Sequence, residues 1–189
     1  MKAFRKDISL MKPLDMIIAV DEEGGFGKDG KIPWHHPEDL KHFQSTTKGS
    51  ACIMGRKTYH DMYDMIVARK SKSKNGEKKK PVRIKEILPG RECYVISRSI
   101  KEVEGATVVN NIRKAVETTE KKNIFVIGGE SIYGEALPWT QHIYLTLVKG
   151  QFNCDRFFSL KYLQDYFKID SGKKLSDNLL MIKYIRKRL

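Results

Sequence analysis

The sequence predicts an α/β domain with a mostly parallel central β-sheet flanked by helices and an antiparallel pair of strands at one edge. Short apolar runs typical of buried strands alternate with helical segments through most of the chain. Two β-rich runs then follow near the C-terminus with no helix between them, which indicates a hairpin. The length of 189 residues, of which 40% are hydrophobic, suits one domain. We therefore expect a domain over residues 15–189, preceded by an extension over residues 1–14.

The predicted elements follow one another in a regular order. Apolar strands are expected at residues 16–20, 51–54, 93–96, 106–109, 124–128 and 142–148. Helices are expected at residues 37–48, 56–65 and 112–121, after the glycine pair at 128–129, and from residue 162. The closing strands are expected at residues 167–170 and 179–185, joined by a turn near Gly172.

The first predicted helix combines a carboxylate with an apolar face. Pro37 suits the first helical position, and Asp39 suits the positive end of the helix dipole. Asp39 and Phe43 project from one face, one turn apart, after a glycine-rich loop that ends at Trp34. A buried carboxylate must find donors or take up a proton, and a flat heterocycle with adjacent N–H groups would supply such donors. A simple charge at a helix end is the alternative for this acid.

Three predicted strands end at turns that could lead into a helix and bind phosphate, at Gly55, Ser97 and Gly128. Helix N–H groups are unpaired at such turns, and glycine lets an anion approach the backbone. In a parallel sheet these turns gather at the carboxyl ends of the strands, where dinucleotides bind. Arg56 and Arg98 favour NADPH over NADH, since arginine is the usual partner of the extra phosphate, although exposed loop arginines are the alternative.

About half of the net charge of +13 lies in one segment. Residues 64–87 hold nine Lys or Arg residues against three acids, and the central part of this segment has no aromatic side chain on which a base could stack. We interpret the segment as a solvated basic insertion, with non-specific polyanion contact as a minor alternative. No specific nucleic-acid partner is expected.

The cysteines and the N-terminus bear on location and metal content. The three cysteines are widely spaced and form no CxxC pattern, so neither a disulfide framework nor a zinc site is expected. His35 and His36 lack a third ligand at metal-site spacing, and we predict no metal. The apolar run at residues 16–20 is too short for a signal sequence and is followed by acids. We expect a cytoplasmic protein without membrane contact.

Five ordered motifs carry a resemblance to a known family. They are MIIAVDEEGGFGKDGKIPW, HPEDLKHF, IMGRKTY, LPGR and VIGGESIY, with YLT following. In this order and spacing they are very specific, and the chain resembles dihydrofolate reductase along nearly its whole length. The resemblance implies that family's fold, the NADPH-dependent reduction of 7,8-dihydrofolate to 5,6,7,8-tetrahydrofolate for one-carbon and thymidylate metabolism, and a monomer. A related pterin or pyrimidine reductase, and a structural or nucleic-acid-associated protein that keeps the fold, are the alternatives.

The resemblance also implies roles for individual residues. Asp39 is expected to bind the 2-amino and N3 edge of the pterin, supported by Trp34 and Thr146, and Arg91 to bind the substrate's α-carboxylate. The implied substrate pocket consists of Ile18, Ala19, Ile32, Asp39, Leu40, Phe43, Met62, Leu88, Arg91 and Thr146. The implied NADPH site consists of Ala19, Gly27, Gly55, Arg56, Lys57, Thr58, Ser97, Arg98, Ser99, Ile127, Gly128, Gly129, Glu130, Ser131, Ile132 and Tyr133. The loop at residues 25–31, here called the lid, is expected to cover the site.

Overall fold

An eight-stranded β-sheet organises the chain in the computed structural model, which describes residues 12–71 and 83–188. The strands are β1 (Leu14–Val20), β2 (Gly25–Gly27), β3 (Ala51–Gly55), β4 (Glu92–Ile96), β5 (Thr107–Val109), β6 (Ile124–Gly128), β7 (Thr140–Val148), β8 (Arg156–Phe157), β9 (Phe167–Ser176) and β10 (Leu179–Arg186). The helices are α1 (Pro37–Thr46), α2 (Arg56–Ser71), α3 (Ile112–Thr118), α4 (Glu130–Ala136) and α5 (Leu160–Tyr166). The large sheet has the order β5-β4-β3-β6-β1-β7-β10-β9.

The sheet is parallel except at one edge, as the sequence predicts. The strands from β5 to β7 in this order pair in parallel, whereas β10 runs antiparallel to both β7 and β9. Parallel strands place their carboxyl ends at the same edge of a sheet. The turns after β1, β3, β4 and β6 therefore lie along one edge.

Two apolar cores cover the two faces of the sheet. Alternate residues of β3 divide between them, with Ala51 and Ile53 in one core and Cys52 and Met54 in the other. A parallel sheet is normally covered on both faces, which explains why its strands read as continuous apolar runs. Helix α1 contains no fully buried residue. It therefore contributes more to the surface around the candidate site than to either core.

The predicted turn near Gly172 is wrong. Gly172 pairs with Ile182 inside the long strand β9, and the chain reverses after Ser176, at residues 177–178. The register of the two strands shifts between the pairs Lys183↔Ser171 and Tyr184↔Ile169. Glycine is tolerated in strands beside such irregularities, and Asp and Asn are common turn residues. The glycine is thus part of an irregular strand, and the polar pair makes the turn.

Part of the expected basic insertion is helical. Helix α2 continues to Ser71, so residues 64–71 extend a helix that starts at the end of β3. The remaining predictions for residues 72–82, and those for the extension over residues 1–11, lie outside the described residues. Among the helices in the described part of the chain, none is long and apolar enough to cross a membrane.

Candidate active site

The glycine pair after β6 lies against the start of α2. Met54 of β3 pairs with Gly128, and the peptide between Gly128 and Gly129 is cis. A Cβ atom at Gly128, where φ is +143°, would lie 2.9 Å from Oγ1 of Thr58. A Cβ atom at Gly55 would lie 3.1 Å from the side chain of Ile132. The close contact and the positive φ require glycine at Gly128, and the contact with Ile132 favours glycine at Gly55.

Asp39 stands at the other side of the same sheet edge. Thr146 of β7 is buried and in register with Ala19 of β1. Burial raises the pKa of Asp39, and hydrogen bonding from the Thr146 side chain opposes this rise. Tyr133 donates its hydroxyl to the carbonyl of Ile17 at 3.0 Å. Burial, together with the Asp39 charge, raises the pKa of Tyr133. A ligand with N–H donors would therefore stabilise the half-buried carboxylate of Asp39.

The predicted apolar wall is assembled in part. Phe43, Met62 and Leu88 pack against the same core, although they come from three separate segments. Ile18 is buried in the other core. Ile32 and Leu40, by contrast, have exposed fractions of 66% and 47%, which is unusual for large apolar side chains. Trp34 is half-buried, with its ring edge-on to Phe152 at a centroid distance of 5.0 Å.

Arg91 is held against the C-terminal end of α1. Its Nη1 donates to Oγ1 of Thr47 at 3.0 Å, and its Nε donates to the carbonyl of Pro89 at 3.3 Å. The guanidinium carbon lies 5.9 Å from the centroid of the Phe43 ring. These contacts fix the plane of the guanidinium beside the apolar wall. A fixed guanidinium at the rim of an apolar pocket is suited to bind a carboxylate.

The predicted phosphate-binding cations follow neighbouring strands. Gly55 and Ile96 are paired in register, so Arg56 and Ser97 continue from the ends of adjacent strands β3 and β4. Oγ of Ser97 accepts from the backbone N–H groups of Ser99 and Ile100, each at 3.3 Å. Beside it lies a surface depression of about 440 Å³ lined by Ser97, Arg98, Ile100, Lys101, Val108, Val109 and Asn110.

The suggestion that the turn at Ser97 leads into a helix is wrong. Between Ser97 and the start of β5 the chain forms bends and an isolated bridge at Val103 and Ala106. Strand β5 then pairs in parallel with β4. The hydroxyl of Ser97 accepts hydrogen bonds from backbone N–H groups that would be unpaired at the start of a helix. The phosphate contacts available here are therefore side chains and a short turn, without a helix terminus.

The lid makes contacts with β8 that were not predicted from the sequence. Strand β2, which begins the lid, pairs with β8 in a separate antiparallel sheet. The backbone N–H of Asp155 donates to the carbonyl of Gly27 at 2.9 Å, and the backbone N–H of Asp29 donates to Oδ2 of Asp155 at 3.0 Å. The ring of Phe26 lies edge-on to Tyr133 at 5.7 Å. Asp155 therefore links residues 27 and 29 of this loop to β8, next to the aromatic pair Phe26 and Tyr133.

A second link joins β8 to the start of α4. Arg156 forms an ion pair with Glu130 at 3.5 Å, and both side chains are about half exposed (48% and 56%). Glu130 is the first residue of α4, directly after the glycine pair. Neither Asp155 nor Arg156 follows a motif that would mark it in the sequence. Their contribution depends on strands of two or three residues, which carry no readable periodicity.

The chain is similar in sequence to known proteins. A family model described as Dihydrofolate reductase matches residues 13–72 and 79–186. Dihydrofolate reductase type 9 of Escherichia coli is 30% identical over 178 residues, which cover 89% of this chain and 88% of the relative. Dihydrofolate reductase of Bacillus subtilis is 31% identical over 147 residues, or 77% of this chain and 74% of the relative.

A solved structure is similar over almost the whole chain. It is described as dihydrofolate reductase from Enterococcus faecalis complexed with NADP(H) and RAB-propyl. The TM-score is 0.72 at 24% sequence identity, and the match covers 94% of this chain and 98% of the other. The similarity supports the α/β architecture and the strand order described above.

Proposed function

The chain belongs to the dihydrofolate reductase family, and from this premise we infer that the site between Asp39 and the glycine pair reduces 7,8-dihydrofolate to 5,6,7,8-tetrahydrofolate with NADPH. The observation that carries the assignment to this site is the half-buried carboxylate of Asp39 beside the buried Thr146. Thr146 lies near the carboxyl end of β7, at the same sheet edge as the glycine pair that ends β6. A pterin and a dinucleotide would meet at this edge.

The residues present fit NADPH. Gly55, Gly128 and Gly129 carry no side chain that would cover the backbone N–H groups at the ends of β3 and β6, and we propose that a phosphate binds there. We propose that Arg56, Lys57 and Thr58 bind one set of adenosine phosphates, and that Ser97, Arg98 and Ser99 bind the other. The arginines provide the preference for NADPH over NADH. When bound, NADPH supplies the hydride.

The substrate end of the site fits a folate. Asp39 accepts hydrogen bonds from the 2-amino and N3 edge of the pterin, and Thr146 and Trp34 complete this network. The side chains of Phe43, Met62 and Leu88, which pack on one core, support the rings. The fixed guanidinium of Arg91 pairs with the α-carboxylate of the glutamate tail. Arg91 at the glutamate tail and Asp39 at the pterin edge together orient the pterin toward the glycine pair.

Proton delivery follows from the position of Asp39. The Asp39 carboxylate binds the 2-amino edge of the pterin, so it does not contact N5 directly. We propose that Asp39 polarises the pterin and raises the basicity of N5, while water that enters past the lid delivers the proton. The hydrogen bonds of Asp155 hold the lid closed during reduction and exclude other water.

Arg91 separates this function from the second candidate, a reductase of a related pterin. A substrate without a carboxylate tail would leave the guanidinium of Arg91 without a ligand. Two contacts fix that guanidinium at the rim of the site, which favours a folate over a free pterin. Equal kcat/KM for dihydrofolate and for a dihydropterin without a tail would favour the second candidate.

We also propose the setting in which the enzyme works. The family match over residues 13–72 and 79–186 supports one reductase domain at residues 15–189. Its gap at residues 73–78 falls inside the basic segment at residues 64–87, which we propose as an insertion. We propose a cytoplasmic monomer whose small-molecule partner is dihydrofolate. Nucleic acid is not proposed as a partner, and strongly salt-dependent binding to DNA or RNA would contradict this.

The function is tested by following the absorbance of NADPH with dihydrofolate as substrate. The full chain is compared with the Asp39→Asn variant, and NADPH is compared with NADH. We expect turnover with NADPH that falls steeply in the variant, most of all at neutral and high pH, because extra acid partly replaces the lost carboxylate. Absence of turnover in a folded protein that binds NADPH would overturn the proposal.

A further inference from the structure

Asp21 is a fully buried acid that follows β1 and joins two separate segments beside the site. Its exposed fraction is 0%, and a buried carboxylate needs hydrogen-bond donors. Oδ1 accepts from the backbone N–H groups of Glu23 at 3.0 Å and Gly25 at 2.7 Å. Oδ2 accepts from the backbone N–H of Phe152 at 3.3 Å and from Sγ of Cys154 at 3.5 Å. One oxygen thus binds the start of the lid, and the other binds the segment between β7 and β8.

Close packing joins the same two segments at Gly25. A Cβ atom there would lie 2.5 Å from Cβ of Cys154 and 2.9 Å from Oδ2 of Asp21. The lid therefore begins in direct contact with the segment between β7 and β8. Burial, followed by the charge of Asp21, raises the pKa of the Cys154 thiol. The thiol thus keeps its proton at neutral pH and remains a donor to the carboxylate.

The other end of the lid is connected to Asp21 through an aromatic contact. Two residues separate the lid from Trp34, whose ring lies edge-on to Phe152 at a centroid distance of 5.0 Å. Aromatic rings favour this arrangement, so the pair holds the two side chains together. The backbone N–H of Phe152 is also one of the donors to Asp21. The carboxylate is therefore bonded directly to the first residue of the lid and, through Phe152, is connected to the tryptophan after the lid.

We propose that Asp21 is a positioning residue for the reduction: its carboxylate fixes both ends of the lid and holds Trp34 at the pterin edge. This inference rests on the proposed function of the site. Because its side chain is fully buried, Asp21 acts through Gly25 and Phe152 and not by contact with the substrate. A lid that is fixed at both ends closes in one arrangement, which keeps the reacting rings aligned and water excluded.

The proposal is tested by the environment of Trp34 in the unliganded full chain. The sequence contains two tryptophans, so fluorine NMR of protein labelled with fluorotryptophan gives two resonances, which Trp139→Phe assigns. Asp21→Asn replaces one acceptor oxygen by an NH₂ group, which cannot accept from the donors on that side. We expect the Trp34 resonance to shift or broaden in this variant. Trp139 directly precedes β7, at the opposite end of the parallel strands from Asp21, so its resonance should not move.

Phe152→Leu separates the proposed connection from a general packing role of Asp21. It keeps the backbone N–H that donates to Asp21 and removes the ring that contacts Trp34. In this background, Asp21→Asn should move the Trp34 resonance much less than it does in the wild type. Equal displacements in the two backgrounds would overturn the proposal.

Glu22 provides a matched control on the surface of the same two segments. Its Oε2 accepts from the backbone N–H of Gly150 at 3.0 Å, and this bond involves neither Gly25 nor Phe152. Glu22→Ala should therefore leave the Trp34 resonance in place, and an effect equal to that of Asp21→Asn would contradict the specific role of the buried acid.

A kinetic measurement distinguishes the inference from the proposed function. Single-turnover oxidation of NADPH with dihydrofolate should slow by roughly 10-fold in Asp21→Asn, as for the loss of one hydrogen bond to a charged group. A displaced Trp34 resonance in this variant, without turnover in the wild type, would uphold the connection and overturn the reductase proposal. Wild-type turnover at a rate that folded Asp21→Asn retains would overturn the inference alone. If Asp21→Asn does not fold, a single-turnover rate unchanged by Phe152→Leu would overturn it equally.

Discussion

Nη1 of Arg91 donates a hydrogen bond of 3.0 Å to Oγ1 of Thr47, the C-cap residue of α1. Oγ1 of Thr47 in turn donates to the carbonyl of Phe43 at 2.8 Å. The guanidinium is thereby oriented by the same helix that carries Asp39 near its other end. The distance between the two proposed substrate anchors is therefore set by one rigid element, and a ligand must be long enough to reach both.

Replacing Arg91 by lysine should weaken the binding of dihydrofolate. Lysine keeps the charge but cannot make a bidentate pair with a carboxylate or keep both the Thr47 and Pro89 contacts. We expect KM for dihydrofolate to rise by roughly 10-fold to 100-fold, the range for losing a charged hydrogen bond, with a smaller change in kcat.

The control for Arg91→Lys is a substrate without the glutamate tail. Its KM should be nearly the same in the variant and in the wild type, because that substrate has no carboxylate for the guanidinium. A similar loss for both substrates would show that Arg91 acts through the structure of the pocket. Thr47→Val, which removes the orienting hydroxyl, should give a smaller rise in KM for dihydrofolate only.

An alanine at Gly128 should weaken both folding and NADPH binding. Its Cβ atom would lie 2.9 Å from Oγ1 and 3.0 Å from Cγ2 of Thr58, and the backbone has φ of +143°. We expect a loss of about 1–3 kcal/mol in the free energy of unfolding, measured with urea, and weaker NADPH binding by fluorescence titration. Adding Thr58→Ala should recover only part of the stability. It removes the contact with the new Cβ atom, but the strain of alanine at a positive φ remains.

Gly134→Ala provides the matched control in the helix that follows the glycine pair. A Cβ atom there meets no other group within 4 Å outside its own helix backbone. Alanine is favoured over glycine inside a helix by about 0.5–1 kcal/mol, so this variant should be unchanged or slightly more stable. A loss of stability equal to that of Gly128→Ala would contradict the explanation by close contact.

Asp155→Ala should slow reduction without unfolding the protein. The carboxylate accepts from the backbone N–H of Asp29, and this is a direct side-chain link between the lid and β8. We expect the single-turnover rate to fall several-fold, because the closed lid is less populated, while the free energy of unfolding changes by less than about 1 kcal/mol. Asp165→Ala, which removes an exposed aspartate from the ion pair with Lys161 on α5, should change neither. A rate unaffected by Asp155→Ala would exclude this role.

The sequence was sufficient for the parallel part of the sheet, because buried parallel strands follow a local apolar pattern. Apolar runs bounded by glycine and polar turns located every parallel strand, and the ordered motifs located Asp39 and the glycine pair. The small lid sheet was missed, because its strands are too short for periodicity. The extent of β9 was missed, because its outer residues are exposed and polar.

The pH dependence of stability should report the burial of Asp39. Burial raises the pKa of Asp39 in the folded state, so protonation of Asp39 stabilises the folded protein. This contribution is present below the unfolded-state pKa and is lost as pH rises through the higher folded-state pKa. Asp39→Asn removes it, so the stability of the variant relative to the wild type should increase from about pH 4 to about pH 7 in urea unfolding. Glu38→Gln removes an exposed charge from the same helical turn and should not reproduce this increase. A difference between wild type and Asp39→Asn that does not change with pH would contradict the burial of the carboxylate.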